Sequence, residues 1–244
     1  MNEKKTIEEE FISTLSHEIR TPLTSIKGFS QTMLGAWDKI DDEKKKEFLK
    51  IILEQSQRLI NLVENVLNVA KLDSNNSGVI LSKVDILALV KNCVNIVQIN
   101  NKDFSFLIKE PKNNLFSLCD QDKTQQIVLN ILDNAVKYSK NSSKVEIKLE
   151  NKGDFNLISI KNYGSYLEKE EQEKIFEKFY RVDSYIKSST QGSGLGLYIA
   201  KNLAEKMQGD ILVNSSKEEN FCEMIVKLPI YNVEKMTKNI KLKD

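Results

Sequence analysis

The sequence predicts two domains of different class, an all-α helical hairpin followed by a mixed α/β domain. Two patterns carry the prediction. Apolar residues recur every 3.5 positions over the first 72 residues; beyond a polar break, short apolar runs alternate with single amphipathic helices. The length of 244 residues agrees, because a domain averages roughly 150 residues.

In the first part, Ile12, Leu15, Ile19, Pro22, Ile26, Phe29 and Met33 are spaced alternately by three and four residues, with Ile12, Ile19, Ile26 and Met33 at position a of a heptad. After the segment 35–42 a second seam follows: Phe48, Ile52, Gln55, Leu59, Leu62, Val66 and Val69. Two amphipathic helices joined by a short connection form an antiparallel hairpin. One hairpin cannot bury both sides of its apolar stripe, so pairing into a dimeric four-helix bundle is the economical solution. A plain coiled-coil spacer would show the same period.

The polar run Leu72-Asp-Ser-Asn-Asn-Ser-Gly78 marks the boundary. It divides the chain into a hairpin domain (1–73), a linker (74–78), an α/β domain (79–231) and a Lys-rich polar tail (232–244). Within the second domain, strands are expected near 79–83, 104–109, 116–119, 144–150, 156–162, 210–215 and 222–228. Helices are expected near 85–100, 122–138 and 195–208, and segment 163–194 reads as a short helix with a long irregular loop. Loops of that length inside a compact domain are usually functional.

Composition narrows the function. A 40% hydrophobic and 29% charged chain is ordinary for a globular protein. Thirty-six Lys and Arg against 35 Asp and Glu give a net charge of +1, which gives no support to a nucleic-acid or membrane-surface protein. Cys93, Cys119 and Cys222 are far apart and His17 is the only histidine, so a Cys/His zinc site is excluded. Reduced thiols point to a cytoplasmic location. No apolar run approaches the roughly 18 residues of a membrane span, so no membrane contact is expected of this chain, although a longer protein could carry an anchor and a sensing part. Arginine is rare: only Arg20, Arg58 and Arg181 occur.

With Leu15 at d, His17 falls at f, the outermost position of the seam. An exposed imidazole is largely neutral at pH 7 and can act as a nucleophile. Thr21 lies one turn along the same face, and Glu18 could orient the imidazole and accept its proton, although adjacent helical residues do not naturally face each other. Pro22 removes the helical partner of the Glu18 carbonyl, so a kink is expected there.

Asn130, Asn134 and Lys137 share one face of the helix near 122–138. An amide oxygen can ligate Mg²⁺ and a lysine can meet phosphate, while a solvated polar face would read the same. The run Gln191-Gly192-Ser-Gly194-Leu195-Gly196 opens the next helix, where backbone N–H groups can approach phosphate. It is neither a P-loop nor a dinucleotide fingerprint. The guanidinium of Arg181 suits a γ-phosphate or a surface ion pair.

Phe11-Ile-Ser-Thr-Leu-Ser-His17-Glu-Ile-Arg-Thr21-Pro-Leu-Thr resembles the H-box of the sensor histidine kinases of bacterial two-component systems. The resemblance implies that His17 accepts the phosphoryl group, that Glu18 is the general acid/base and that Thr21 helps dephosphorylate the response regulator. The string from Asn130 to Ser139 resembles the N-box of the GHKL ATP-binding α/β sandwich. By that resemblance Asn130 belongs to the ATP site, Asn134 ligates Mg²⁺, and Lys137 and Tyr138 line the phosphate region. Gly192, Gly194, Leu195 and Gly196 resemble the G2-box, and Ile175-Phe-Glu-Lys-Phe179-Tyr-Arg181 resembles the F-box. The motifs stand in family order from about residue 7 to 229. They imply ATP-dependent histidine autophosphorylation in a homodimer and transfer to an aspartate on a response-regulator receiver domain.

One motif departs from the pattern. Where the family has Asp-x-Gly-x-Gly-Ile in its G1-box, this chain has Asn162-Tyr-Gly164-Ser-Tyr166-Leu. An amide still accepts from the adenine amine, without charge assistance. Tyr166 in place of a flexible glycine stacks on the base or stiffens the lid. A phosphatase-biased or non-catalytic dimeric scaffold is the alternative these changes raise. A water-activating ATPase of the gyrase or chaperone kind is disfavoured, because Asn130 occupies the position of its glutamate base.

Overall fold

The structure of the chain, a computed structural model, describes residues 2–73, 78–139, 142–182 and 193–232, with helical side chains from Ile12 onward. Most of the expected linker (74–77), Gln191 and Gly192, and tail residues 233–244 lie outside the described residues.

Helix α1 spans Asn2–Ala36, a 3₁₀ turn covers Trp37–Lys39, and α2 spans Asp42–Asp73. The turn ends where Asp41 accepts from the Lys44 amide at 2.8 Å, capping α2. The heptad seams pack in part against each other: Pro22, Met33 and Leu62 are buried and Phe29 meets Phe48 at 5.0 Å between ring centroids, whereas Ile12 is exposed and Val69, with Leu72 just after the seam, joins the core of the second domain. Helix α1 continues through Pro22 without a break. Pro22 is itself buried.

The second domain is a two-layer α/β sandwich. Strands β2 (Ser105–Lys109), β4 (Lys144–Lys152), β5 (Phe155–Tyr163), β6 (Asp210–Ser216) and β7 (Phe221–Pro229) form one sheet in the order β2-β4-β5-β7-β6. Among the described residues, only the β2–β4 pair is parallel. Strands β1 (Ser82–Asp85) and β3 (Phe116–Cys119) form a separate antiparallel ribbon. Helices α3 (Ile86–Asn100), α4 (Gln121–Tyr138) and α6 (Gly196–Lys206) supply the second layer, and α5 (Glu171–Lys174) is a single turn in the long loop.

Local chemistry fixes these limits. Asp85 caps α3 by accepting from the Ala88 amide at 3.0 Å, which ends β1. Asp120 caps α4 through the Lys123 amide at 3.0 Å, and its other oxygen holds the Ile80 amide at 2.8 Å. That second bond explains why the first strand begins at Ser82 and not near residue 79: Ile80 spends its donor on a side chain instead of a ladder. The apolar face of α4 (Ile127, Val128, Ile131, Leu132) is fully buried against the sheet. Its opposite face is left for the site.

Candidate nucleotide and phosphoacceptor site

A cavity of about 1470 Å³ lies between the outer face of α4, the β5 end, the loop from Gly164 to Arg181 and the flank of the helical hairpin. It exceeds the usual small-molecule pocket of roughly 300–1,000 Å³ because both domains contribute walls.

Helix α4 turns Asn130, Asn134, Lys137 and Tyr138 toward this space, as their spacing requires. Asn130 donates to the Gly196 carbonyl at 3.3 Å, tying α4 to the first residue of α6. Lys137 Nζ stands 4.9 Å from the centre of the Tyr138 ring. Asp133, beside Asn134, lies in the cleft, solvent-accessible yet crowded by protein, and desolvation raises its carboxyl above the ordinary range.

On β5, Asn162 is buried to 6% exposure, and its Nδ2 donates to Ser165 Oγ at 3.1 Å. The strand then turns sharply at Gly164 (φ 89°), whose amide donates to the Asn220 carbonyl at 2.9 Å. Ile160, Cys222 and Met224 form an apolar patch of the lining beside Asn162. Burial pushes the Cys222 thiol up to about 12, so it stays protonated. Tyr166 also lines the cavity, with the Lys217 ammonium 5.3 Å from its ring centre.

Gly194 has a sharper reason to be glycine than phosphate approach. Its φ is 69°, and a Cβ there would fall 2.7 Å from the Phe179 carbonyl carbon. Phe179, itself at φ 63°, donates its amide to the Gly194 carbonyl at 3.1 Å. The two motifs that flank the long loop are thus stitched backbone to backbone. Leu195 is fully buried and its side chain belongs to the core, so only its backbone is available to a ligand.

The hairpin contributes Glu18, not His17, to the cavity wall. Glu18 Oε2 meets Arg58 Nη2 at 3.0 Å, and Oε1 lies 3.7 Å from Arg181 Nη1. The expectation that Glu18 orients the imidazole is therefore not met in this conformation. Adjacent helical side chains diverge by about 100°, so a carboxylate turned into the cleft leaves the histidine outside. His17 and Thr21 are both exposed, and Thr21 Oγ1 donates to the His17 carbonyl at 3.1 Å.

Several lining residues escape a reading of the sequence. Arg58 Nη1 is buried without a hydrogen-bond partner, a donor that an incoming anion could satisfy. Asn61, Asn65 and Asn68 form a row along α2 facing the cleft. Their spacing of four and three residues is the available signal, read along the flank of the seam. Among the described residues, no group of three His, Cys, Asp or Glu could hold a metal. A Mg²⁺ ion shared with nucleotide phosphates needs few protein oxygens, and the carboxamide of Asn134 in the cavity wall fits that requirement.

Fold and site together define a phosphoacceptor-type hairpin joined to an ATP-binding lobe of the GHKL class. Residues 7–75 match the His Kinase A (phospho-acceptor) domain, and residues 119–232 match the histidine kinase-, DNA gyrase B- and HSP90-like ATPase family. The sensor protein kinase WalK of Staphylococcus aureus (strain MRSA252) is 32% identical over 228 residues, which is 92% of this chain and 37% of that protein. Another Staphylococcus aureus WalK sequence is matched over 54% of its length, so the chain spans 37% to 54% of these curated relatives. Among solved structures, the histidine kinase ThkA in complex with response regulator protein TrrA superposes with a TM-score of 0.71 at 23% identity, covering 94% of this chain and 64% of that one. Full-length ShkA in complex with AMPPNP superposes with a TM-score of 0.65 at 25% identity, covering 92% and 46%. The chain belongs to the histidine kinase family.

Proposed function

We propose that the protein transfers the γ-phosphoryl group of ATP to His17 and then to an aspartate on the receiver domain of a response regulator. The observation that carries this reading is convergence: Asn130, Asn134, Lys137, Asn162 and Arg181 line the same cleft as Glu18, the neighbour of the histidine. Phosphoryl transfer demands positioning and charge neutralisation more than covalent work. Asn162 receives the base edge, Gly164 allows the turn beside it, and Lys137 and Arg181 offset phosphate charge. The Gly194–Gly196 backbone completes the phosphate side. Mg²⁺, held by Asn134 and the phosphates, would screen the developing negative charge.

In the transfer step the imidazole nitrogen of His17 attacks the γ-phosphorus, the bond to ADP breaks, and Glu18 takes the imidazole proton. Because His17 faces away from the cleft, the step requires the nucleotide lobe to move along α1, or a partner's lobe to reach the histidine. Glu18 must also leave Arg58 and Arg181 to reach the ring. We further propose that the chain works as a homodimer: Leu49, Leu53, Ile60, Val63 and Leu67 form an exposed apolar row on α2 with heptad spacing. Its free buried thiols favour a reducing, cytoplasmic setting. Among the described residues no helix is long and apolar enough to cross a membrane.

Incubation with γ-labelled ATP and Mg²⁺ tests the reading. Labelled protein is expected from the wild type and none from His17→Gln, and equal labelling of the two would overturn it. A phosphatase-biased reading is favoured by the double engagement of Glu18 by arginines. It expects weak labelling together with rapid dephosphorylation of a phosphorylated receiver domain, lost in Thr21→Ala.

A further inference from the structure

The apolar patch of the cavity wall has a buried polar side chain beside it. Ile160, Met224 and the protonated thiol of Cys222 carry no charge, and Asn162 is the buried polar group beside them. Its Nδ2 donates to Ser165 Oγ at 3.1 Å, which leaves Oδ1 as the acceptor for a ligand. A carboxamide can turn over about its Cβ–Cγ bond, exchanging oxygen and nitrogen. The Ser165 hydroxyl is both donor and acceptor, so it can follow: with the amide reversed, its O–H donates to Oδ1 and Nδ2 faces the cavity. Both arrangements keep the Asn162–Ser165 bond, so neither leaves a buried polar atom unpaired. A carboxylate at the same position would have one state only, as an acceptor.

We propose that Asn162 and Ser165 form an ambivalent reading pair, which accepts from the 6-amino group of ATP in one arrangement and donates to the 6-oxo group of GTP in the other. The site then takes both purine triphosphates. This rests on the reading of the cleft as a nucleotide site.

The test is competition of ATP and of GTP, each with Mg²⁺, against a fluorescent trinitrophenyl-ATP probe on the full chain. Wild-type protein is expected to bind GTP within about tenfold of ATP, and Asn162→Asp is expected to widen the ratio to about 100-fold or more, because a carboxylate cannot donate to a 6-oxo group. A wild-type ratio equal to that of the variant overturns the proposal. Displacement by ATP with GTP inert overturns it while leaving the nucleotide site intact; displacement by neither overturns both. A measurement independent of the variant is labelling of His17 from γ-labelled GTP. A rate within about tenfold of that from ATP supports the pair, and absence of labelling where ATP labels overturns it.

Discussion

The helical hairpin and the α/β lobe solve the burial problem differently. In the lobe, Ile86, Ile127, Ile131, Leu132, Ile147 and Ile158 are all fully buried around one continuous core. In the hairpin, most seam residues are only half-buried, and a second apolar row from Leu49 to Leu67 faces outward, with Leu53 at 69% exposure. Two helices have too few faces to enclose a core, whereas a sheet covered by three helices has enough. The difference accords with the proposed dimer: the lobe encloses a core that also takes in Val69 and Leu72 of α2, whereas the hairpin leaves an apolar row uncovered. Leu53→Asp sharpens this most strongly. A symmetric dimer loses the residue twice, which costs about 3–6 kcal/mol per dimer from lost burial and charge desolvation. Sedimentation should show conversion to monomer, with the melting of the lobe unchanged; an unaltered dimer would break the comparison.

The opposite pattern is expected of Leu132→Ala. The side chain is fully buried on α4, and its truncation costs about 2–5 kcal/mol of lobe stability through lost transfer energy and a residual cavity. Denaturant unfolding of the lobe should register the loss while the dimer constant stays fixed.

What was readable from the residues follows the same division. Helix α4 is legible because its two faces differ in kind, with Ile127, Ile131 and Leu132 on one and Asn130, Asn134 and Lys137 on the other. Strand β3 is legible because turn formers bracket it. The exposure of His17 follows from heptad register alone. The pairing of Glu18 with Arg58 and Arg181 does not, since those residues stand 40 and 163 positions away and no local period links them. The start of β1 was hidden for a similar reason: Asp120, far along the chain, claims the Ile80 amide. The glycine-rich run was visible, but the demand on Gly194 comes from the backbone of Phe179, which only the folded loop brings near.

Gly194→Ala tests that demand. Alanine must hold φ near 69° and push its methyl against the Phe179 backbone, at a cost of about 1–3 kcal/mol. The strain falls on two segments that line the cleft, around Tyr180 and Arg181 and at Ser193–Gly194. Nucleotide affinity should drop about tenfold or more while the thermal midpoint moves by a few degrees at most. Unchanged affinity would mean that the stitch between Phe179 and Gly194 has no part in binding.

The smallest effect is expected at Glu146 on β4, where a cluster of charges takes the place of apolar packing. Its carboxylate meets Lys144 at 2.6 Å and Lys109 at 3.3 Å, and accepts from Tyr163 at 3.1 Å. The bond from Lys144 is the largest influence, and the carboxyl is held down to about 2 from an ordinary 4.5. A depressed carboxylate stabilises the fold fully above its unfolded value, and that contribution is lost as pH falls from 4.5 through about 2. Both lysines reach into solvent, which limits the contribution to about 0.5–1 kcal/mol. Glu146→Gln should therefore destabilise the lobe slightly at neutral pH, and that difference should shrink as pH falls towards 2 and vanish only below it. A constant difference across that window would mean that packing, rather than charge, holds the residue in place.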